Sequence, residues 1–441
     1  MQDATAKWLA EQGVDEVEAL VPDMAGVARG KFMPASKFLC EDMRLPETIF
    51  SQGISGGYVD GVFELDRDMV LVADEDSFRV VPWTADPTAC VIMDPYRHGG
   101  EPMHIAPRHV LKRVIALYEE QGWRPVVAPE VEFFLVKQNP DPDYPLETPV
   151  GRSGRRETAG RPFSIDAVNE FDPVFEDVYD YCDVMGIDAG SLSHEAGAGQ
   201  VEVNFNHGDP LGLADQVFLF KRVAREAALK HGVYATFMAK PMQNEPGSSL
   251  HLHQSVVDVE TGMNVFSDQA GEDTPAFRSF VAGQQQFIPQ GLLLFGPYVN
   301  SYRRFIRYLS APINVHWARD NRTVGLRVPA SDAENRRIEN RVAGADVNPY
   351  LAIAASLACG YLGMIQQLEP SAPIAASAYD LESGFAANLF GALELMENCE
   401  ALKAVLGQEF VDVYCQIKRV EYETYFQVIS PWEREFLLLN V

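Results

Sequence analysis

Glu130 and Glu132 stand two residues apart in Val126-Val127-Ala128-Pro129-Glu130-Val131-Glu132-Phe133-Phe134-Leu135. Strand geometry places both acids on one face and Val131 and Phe133 on the other. The apolar flanks predict a buried strand, so the acids need a cation. Glu195 and Glu202 bracket a run of small residues that suits a tight loop entering a strand, with Glu202 and Asn204 on one strand face. Ser248-Ser249-Leu250-His251-Leu252-His253-Gln254-Ser255 alternates, so His251 and His253 share a face. Two histidines on one strand face suit metal ligation better than a lone one. Each pattern has a plainer alternative: a solvated strand face, a glycine-rich turn with incidental acids, or structural histidines.

Arginines 303, 304, 307, 319, 322, 327, 336, 337 and 341 crowd one stretch without a lysine. Arginine alone suggests bidentate recognition of phosphate or carboxylate. In Arg337-Ile338-Glu339-Asn340-Arg341, alternation puts Arg337, Glu339 and Arg341 on one face. That is either an ion-pair ladder or a metal ligand flanked by anion-binding groups. Gly26-Val27-Ala28-Arg29-Gly30-Lys31-Phe32 has the wrong spacing for a P-loop, and no dinucleotide-binding glycine fingerprint occurs. A nucleotide would therefore rest on metals and arginines. Five glutamates with histidine indicate Mg²⁺ or Mn²⁺, and metals beside arginines suggest phosphoryl transfer.

The chain that must position these groups has 441 residues, 47% of them hydrophobic and 22% charged, which excludes a mainly disordered chain or a disulfide miniprotein. Its formal charge of −27 argues against nucleic acid and anionic membrane as partners. Six scattered cysteines without a C-x-x-C pair fit a reducing compartment. The N-terminus lacks the pattern of a signal peptide, and the apolar stretch 350–365 falls short of the roughly 20 residues of a bilayer span. A cytoplasmic protein is expected. Residues 1–102 read as a small α+β unit with a helix over 6–12, strands over 14–21 and 27–33 and a strand pair over 70–82. Residues 103–441 read as a larger mixed unit. Its expected strands are 126–136, 200–205, 236–238, 248–256 and 338–342. Its helices are 171–185, 211–231, 348–367 and 398–424, and a long mobile loop spans 139–162.

Taken in order, Pro129–Phe134, Glu195–Glu202, Gly247–His253, Asn300–Arg304, Asn321–Pro329 and Arg337–Tyr350 resemble the glutamine synthetase family. The resemblance implies an α+β fold, with an N-terminal β-grasp domain and a glutamine synthetase-type catalytic domain. It also implies a dodecamer of two stacked hexameric rings with active sites shared between neighbours. By motif position, Glu132, Glu195 and Glu202 hold one metal, and Glu130, His251 and Glu339 the second. Arg304, Arg341 and the backbone of Gly247 grip glutamate. Arg322, Arg327 and Arg337 face the ATP phosphates, with His253 and Ser255 beside the nucleotide. Arg322, Arg304 and Glu339 then act directly in catalysis.

Departures from the family pattern indicate the subtype. Ser310, just before Ala311-Pro312, stands where glutamine synthetases carry a flap glutamate that helps deprotonate ammonium. The latch aspartate of the N-terminal domain has only Asp60 as a weak counterpart, and Pro246 replaces the asparagine before Gly247. An intact phosphoryl-transfer set beside an altered ammonium pocket is similar to the γ-glutamylpolyamine synthetase branch. Ligation of glutamate to an organic primary amine, polyamine or monoamine, is the resulting expectation. A true glutamine synthetase and a non-catalytic family member are the rivals.

Overall fold

A computed structural model describes residues 2–441. Six strands of the N-terminal part are β1 (Glu16–Pro22), β2 (Ala28–Pro34), β3 (Met43–Pro46), β4 (Asp68–Ala73), β5 (Arg79–Val81) and β6 (Thr88–Tyr96). They form a sheet of order β2-β1-β6-β4-β3, with β5 on β6. The antiparallel β1–β2 hairpin beside a parallel β1–β6 pair is the β-grasp pattern.

The second sheet has eight strands: β7 (Trp123–Lys137), β8 (Ala189–His194), β9 (Gln200–Phe205), β10 (Val233–Thr236), β11 (Leu250–Asp258), β12 (Trp317–Arg319), β13 (Leu326–Val328) and β14 (Ile338–Asn340). Its order is β12-β13-β14-β11-β7-β9-β8, with β10 on the far end of β7. One face of β7 is apolar. Phe133 packs on Phe220 and Phe237, ring centroids 6.1 and 5.3 Å away, above helix Pro210–Lys230. The other face carries the acids.

Helix starts follow a local rule. Asp209-Pro210, Thr274-Pro275 and Asn348-Pro349 each join a side-chain cap to a proline in the first turn, and the cap oxygens accept from Gly212, Phe277, and Tyr350 with Leu351. Helix Pro349–Gln366 is 18 residues long and apolar enough to cross a membrane, yet 89% of it is buried, so it is the central core helix. One apolar core runs through both sheets. We propose the 102/103 division as a boundary between folding units across that shared core.

The expected strands and helices recur with shifts of a few residues, although β4 and β5, expected as a pair over 70–82, each pair with β6 and not with each other. Three further expectations need correction. The strand expected at 236–238 is β10, which ends at Thr236. The helix expected at 398–424 is two, Glu400–Leu406 and Gln408–Phe426, broken at Gly407 with φ 99°. The loop 139–162 contains no helix or strand, but it is anchored: Lys137 N donates to Glu147 O (2.8 Å) and Gly199 N to Glu157 Oε2 (2.7 Å).

A buried cation fastens the N-terminal part to helix Pro210–Lys230. Arg108, 2% exposed, donates to Asp94 (2.8 Å) and Asp215 (3.0 and 2.9 Å) and meets Asp74. Asp94 and Asp74 belong to the N-terminal part, whereas Asp215 lies on helix Pro210–Lys230. Removing one partner of such a network leaves buried charge uncompensated. Arg108→Met is expected to destabilise the protein by about 3–5 kcal/mol, read as a lowered denaturant midpoint.

Candidate active site

Strand register assembles the predicted residues on one face of the larger sheet. Across β7 and β9, Glu132 faces Glu202 and Glu130 faces Asn204. Across β7 and β11, Glu130 faces His251; across β11 and β14, His253 faces Glu339; and Glu339 faces Arg327 on β13. The separations are short. His253 Nε2 lies 2.8 Å from Glu130 Oε1, and His251 Nδ1 lies 3.3, 3.8 and 4.0 Å from Glu130, Glu339 and Glu202. His251 Nε2 is 3.8 Å from Glu132 Oε1.

Donor atoms within 4.8 Å of one another form two sets that share Glu130: Glu130–Glu202–His251 and Glu130–His253–Glu339. These sets differ from the grouping that the resemblance implies. His253 joins a donor set directly. Glu132 turns Oε2 toward Ser249 N (2.8 Å) and Gln200 Nε2 (3.1 Å). Glu195, in the turn between β8 and β9, is in neither set but is electrostatically coupled to Glu132 and Glu202.

Burial dominates the titration of these acids, and crowding adds to it. Glu132 is pushed up to about 8 by burial and then by Glu195. Glu202 is pushed up to about 9 by burial and then by Glu130, Glu132 and Glu195. Burial also raises Glu130 and Glu339, but other groups outweigh it. Hydrogen bonds with His251 and His253 hold Glu130 below the usual carboxylate range. Arg341 and the two histidines bring Glu339 down to about 2. Burial, then Arg341, lowers His251 to about 4, leaving a neutral ring with a lone pair to offer. Glutamate oxygens pressed together beside a neutral imidazole are a donor set that fits Mg²⁺ or Mn²⁺.

The arginines border this surface. Arg327 Nη1 donates to Glu339 Oε2 (2.7 Å), Arg341 Nη1 to Glu339 Oε1, and Arg337 Nε to His253 Nδ1 (3.2 Å). Arg322 is exposed and has no acid within ion-pair distance among the described residues. Arg304 is 2% exposed, and its Nη atoms donate to Val342 O (2.7 Å), Ser249 Oγ (2.8 Å) and Arg341 O (2.9 Å). The Nε atoms of Arg304, Arg327 and Arg341 are buried and unpartnered among the described residues. Orphaned guanidinium donors fit a site that an anion completes. Glu130, His253, Ser255 and Arg337 open onto a cavity of about 1200 Å³, large enough for a nucleotide.

Sequence reasoning missed two supports of the acidic face. Gln200 bridges Glu132 and Gly247 O (3.0 Å), and Asn204 Nδ2 donates to Glu202 Oε1 (3.2 Å). Their only advance signal was a polar residue on the acid-bearing face. Ser310 is exposed and held at φ 66°, and Asp60 is also exposed.

Comparison with known proteins bears on the whole chain. The family profile "Glutamine synthetase, catalytic domain" matches residues 104–437. The γ-glutamylputrescine synthetase PuuA of Escherichia coli K12 is 34% identical over 438 residues, covering 96% of this chain and 92% of the relative. The glutamate–isopropylamine ligase of Pseudomonas sp is 31% identical, covering 97% and 95%. The glutamine synthetase of Pyrococcus abyssi is 32% identical, covering 94% and 91%. A solved structure titled "Apo GmaS without ligand" superposes with TM-score 0.83 at 27% identity, covering 100% of both chains. This chain belongs to the glutamine synthetase family.

Proposed function

We propose that the protein ligates the γ-carboxylate of glutamate to an organic primary amine, driven by ATP, through a γ-glutamyl phosphate. The observation that carries this reading is the pair of donor sets sharing Glu130, bordered by arginines with unpartnered Nε atoms. Similarity to relatives named as γ-glutamylputrescine synthetase and glutamate–isopropylamine ligase supports the organic amine.

A carboxylate is a poor acyl donor because oxide is a poor leaving group. Transfer of the ATP γ-phosphoryl to a side-chain carboxylate oxygen creates an acyl phosphate. The amine nitrogen then attacks the carbonyl carbon, the C–O bond to phosphate breaks, and the amine loses a proton. Divalent ions, when bound, supply charge neutralisation around the transferring phosphoryl group. Glu130, Glu132, Glu195, Glu202, His251, His253 and Glu339 are the residues we propose to hold them. Arg337, His253 and Ser255 orient the nucleotide, and Arg322 and Arg327 meet its phosphates. Arg341 and Gly247 hold glutamate, while buried Arg304 fixes Ser249 and Arg341 from beneath. We propose a homo-oligomer of stacked rings. Support comes from the apolar C-terminal helix Pro431–Leu437, in which no residue is buried and Trp432 and Phe436 are 62% and 52% exposed.

Phosphate release with glutamate, ATP and a panel of amines tests the reaction. Primary organic amines should raise kcat/KM at least tenfold over ammonia. Equal turnover with ammonia would establish a glutamine synthetase, and no release with any nucleophile would end the enzymatic reading. Arg322→Ala should lower kcat about 100-fold or more while leaving Tm unchanged, because the side chain is exposed.

The raised acids also set a pH dependence. An acid with a folded-state pKa above its unfolded value favours the empty fold at low pH and loses that contribution as pH rises toward about 8 to 9. Cation binding requires the ionised form and so releases protons. The Tm gain from Mn²⁺ should grow between about pH 6.5 and 8.5, measured by thermal unfolding with and without the ion.

A further inference from the structure

Glu157 belongs to none of the motifs that define the site. It lies in the long loop 138–164, yet its side chain is only 7% exposed. Glu157 Oε2 accepts from Gly199 N (2.7 Å) and from His194 Nε2 (2.8 Å). The other ring nitrogen of His194 lies 2.7 Å from the carbonyl of Glu195. Two more contacts press the same segment against the same turn. A Cβ on Gly160 would sit 1.8 Å from Ala196 O, and Phe163 N donates to His194 O (2.9 Å). Phe163 pays for that contact with a left-handed backbone, φ 62°, a strain that persists only when surroundings enforce it. From the opposite side, Gly197 N donates to Gln200 Oε1 and Ala198 N to Glu245 Oε2, both at 2.9 Å. Consecutive N–H groups of the turn are thus each tied to a different side chain.

We propose that segment 157–163 is a strap that positions Glu195, with Glu157 as its anchor and a positioning residue for the reaction. Glu195 is the acid at the end of the ladder: it follows the last residue of β8, its N–H donates to Gln200 O (2.8 Å), and no strand residue lies beyond it before the turn. The strap supplies the rigidity that register gives to Glu130, Glu132 and Glu202. This inference rests on the proposed metal-binding role of Glu195. Outer groups that orient metal ligands change metal affinity about 10- to 100-fold when removed.

Mn²⁺ binding to the full-length protein, measured by the electron paramagnetic resonance of free Mn²⁺, tests it without relying on turnover. Glu157→Ala should weaken binding about tenfold or more, with Glu157→Gln intermediate because its amide oxygen still accepts from Gly199. Gly160→Ala should act in the same direction without touching any charge. Arg161→Gln, which removes only the half-exposed partner of Glu157, should stay within about twofold. Thermal unfolding checks that each variant is folded; if Glu157→Ala is not, Glu157→Gln and Gly160→Ala decide. Folded strap variants that bind Mn²⁺ as the parent does would overturn the strap alone. A parent protein that binds no Mn²⁺ would overturn the metal-dependent reading and the strap with it.

Discussion

Like charge packed at short range on a buried surface is the constraint around which the rest of the molecule is organised. Two unit charges 4 Å apart repel by about 4 kcal/mol at an effective dielectric constant of 20. Glu130, Glu132, Glu195 and Glu202 share such a region, and the fold offers too few cations to neutralise them all. Arg327 and Arg341 serve Glu339 as cations, whereas Glu130 has hydrogen bonds with His251 and His253. Glu132 and Glu202 are left with neutral hydrogen-bond donors: Ser249 N and Gln200 for one, Asn204 for the other. Lacking a cation of their own, these two acids hold their protons up to about pH 8 and 9 in the empty fold. A divalent cation bound there, as proposed above, would take the place of those protons, so the proposed metal-ligand set is also the least self-sufficient part of the fold.

Such a surface keeps its geometry only if its underside cannot yield. The reverse face of β7 and β9 is filled by Val131, Phe133, Val203 and Phe205, each under 5% exposed, with Phe133 and Phe205 packed on Phe220 of helix Pro210–Lys230. Protein interiors packed this tightly transmit displacement instead of absorbing it. The ion cluster at Arg108 then holds the N-terminal sheet to that helix through Asp215, which also accepts from Tyr350 (2.6 Å) at the start of the central core helix. Stability and chemistry meet in this arrangement: the apolar layer and the buried Arg108 fix what the acids destabilise.

Much of the site was legible because strands obey period 2. The pairs Glu130/Glu132 and His251/His253 reveal their common face in any local window, and Glu339 stands out between two arginines. That His253 stands beside Glu130 and Glu339 was not legible, because it depends on which strands become neighbours and in what register. Only the β11–β14 pairing brings His253 opposite Glu339. Arg304 illustrates the same limit. Its position in the motif suggests a ligand-facing group, whereas its depth commits both Nη atoms to the protein. Glu157 and Asp215 lie far along the chain from the groups they hold, so no periodic signal marks them. The break at Gly407 was readable in principle as a glycine within a helical pattern, but the amphipathic stripe continues on both sides and conceals it.

The two halves of the proposed reaction place different demands on the structure. Activating a carboxylate needs cations and guanidinium groups, and those positions are filled. Choosing the nucleophile needs a pocket suited either to a small cation or to an amine with an organic group. An anion in the loop before Ala311-Pro312 would favour ammonium, both by attracting the cation and by accepting its proton. Ser310 provides neither charge nor base, and its left-handed backbone is shared by Tyr308, φ 63°, whose hydroxyl is tied to Asp380 at 2.9 Å. Two strained residues so close together show a loop whose shape is imposed by its contacts rather than by local preference. Swapping serine for glutamate there would change the charge without changing that imposed shape. On the proposed reading, selectivity for the amine would then belong to the loop as a whole, separable from the face that carries the acids.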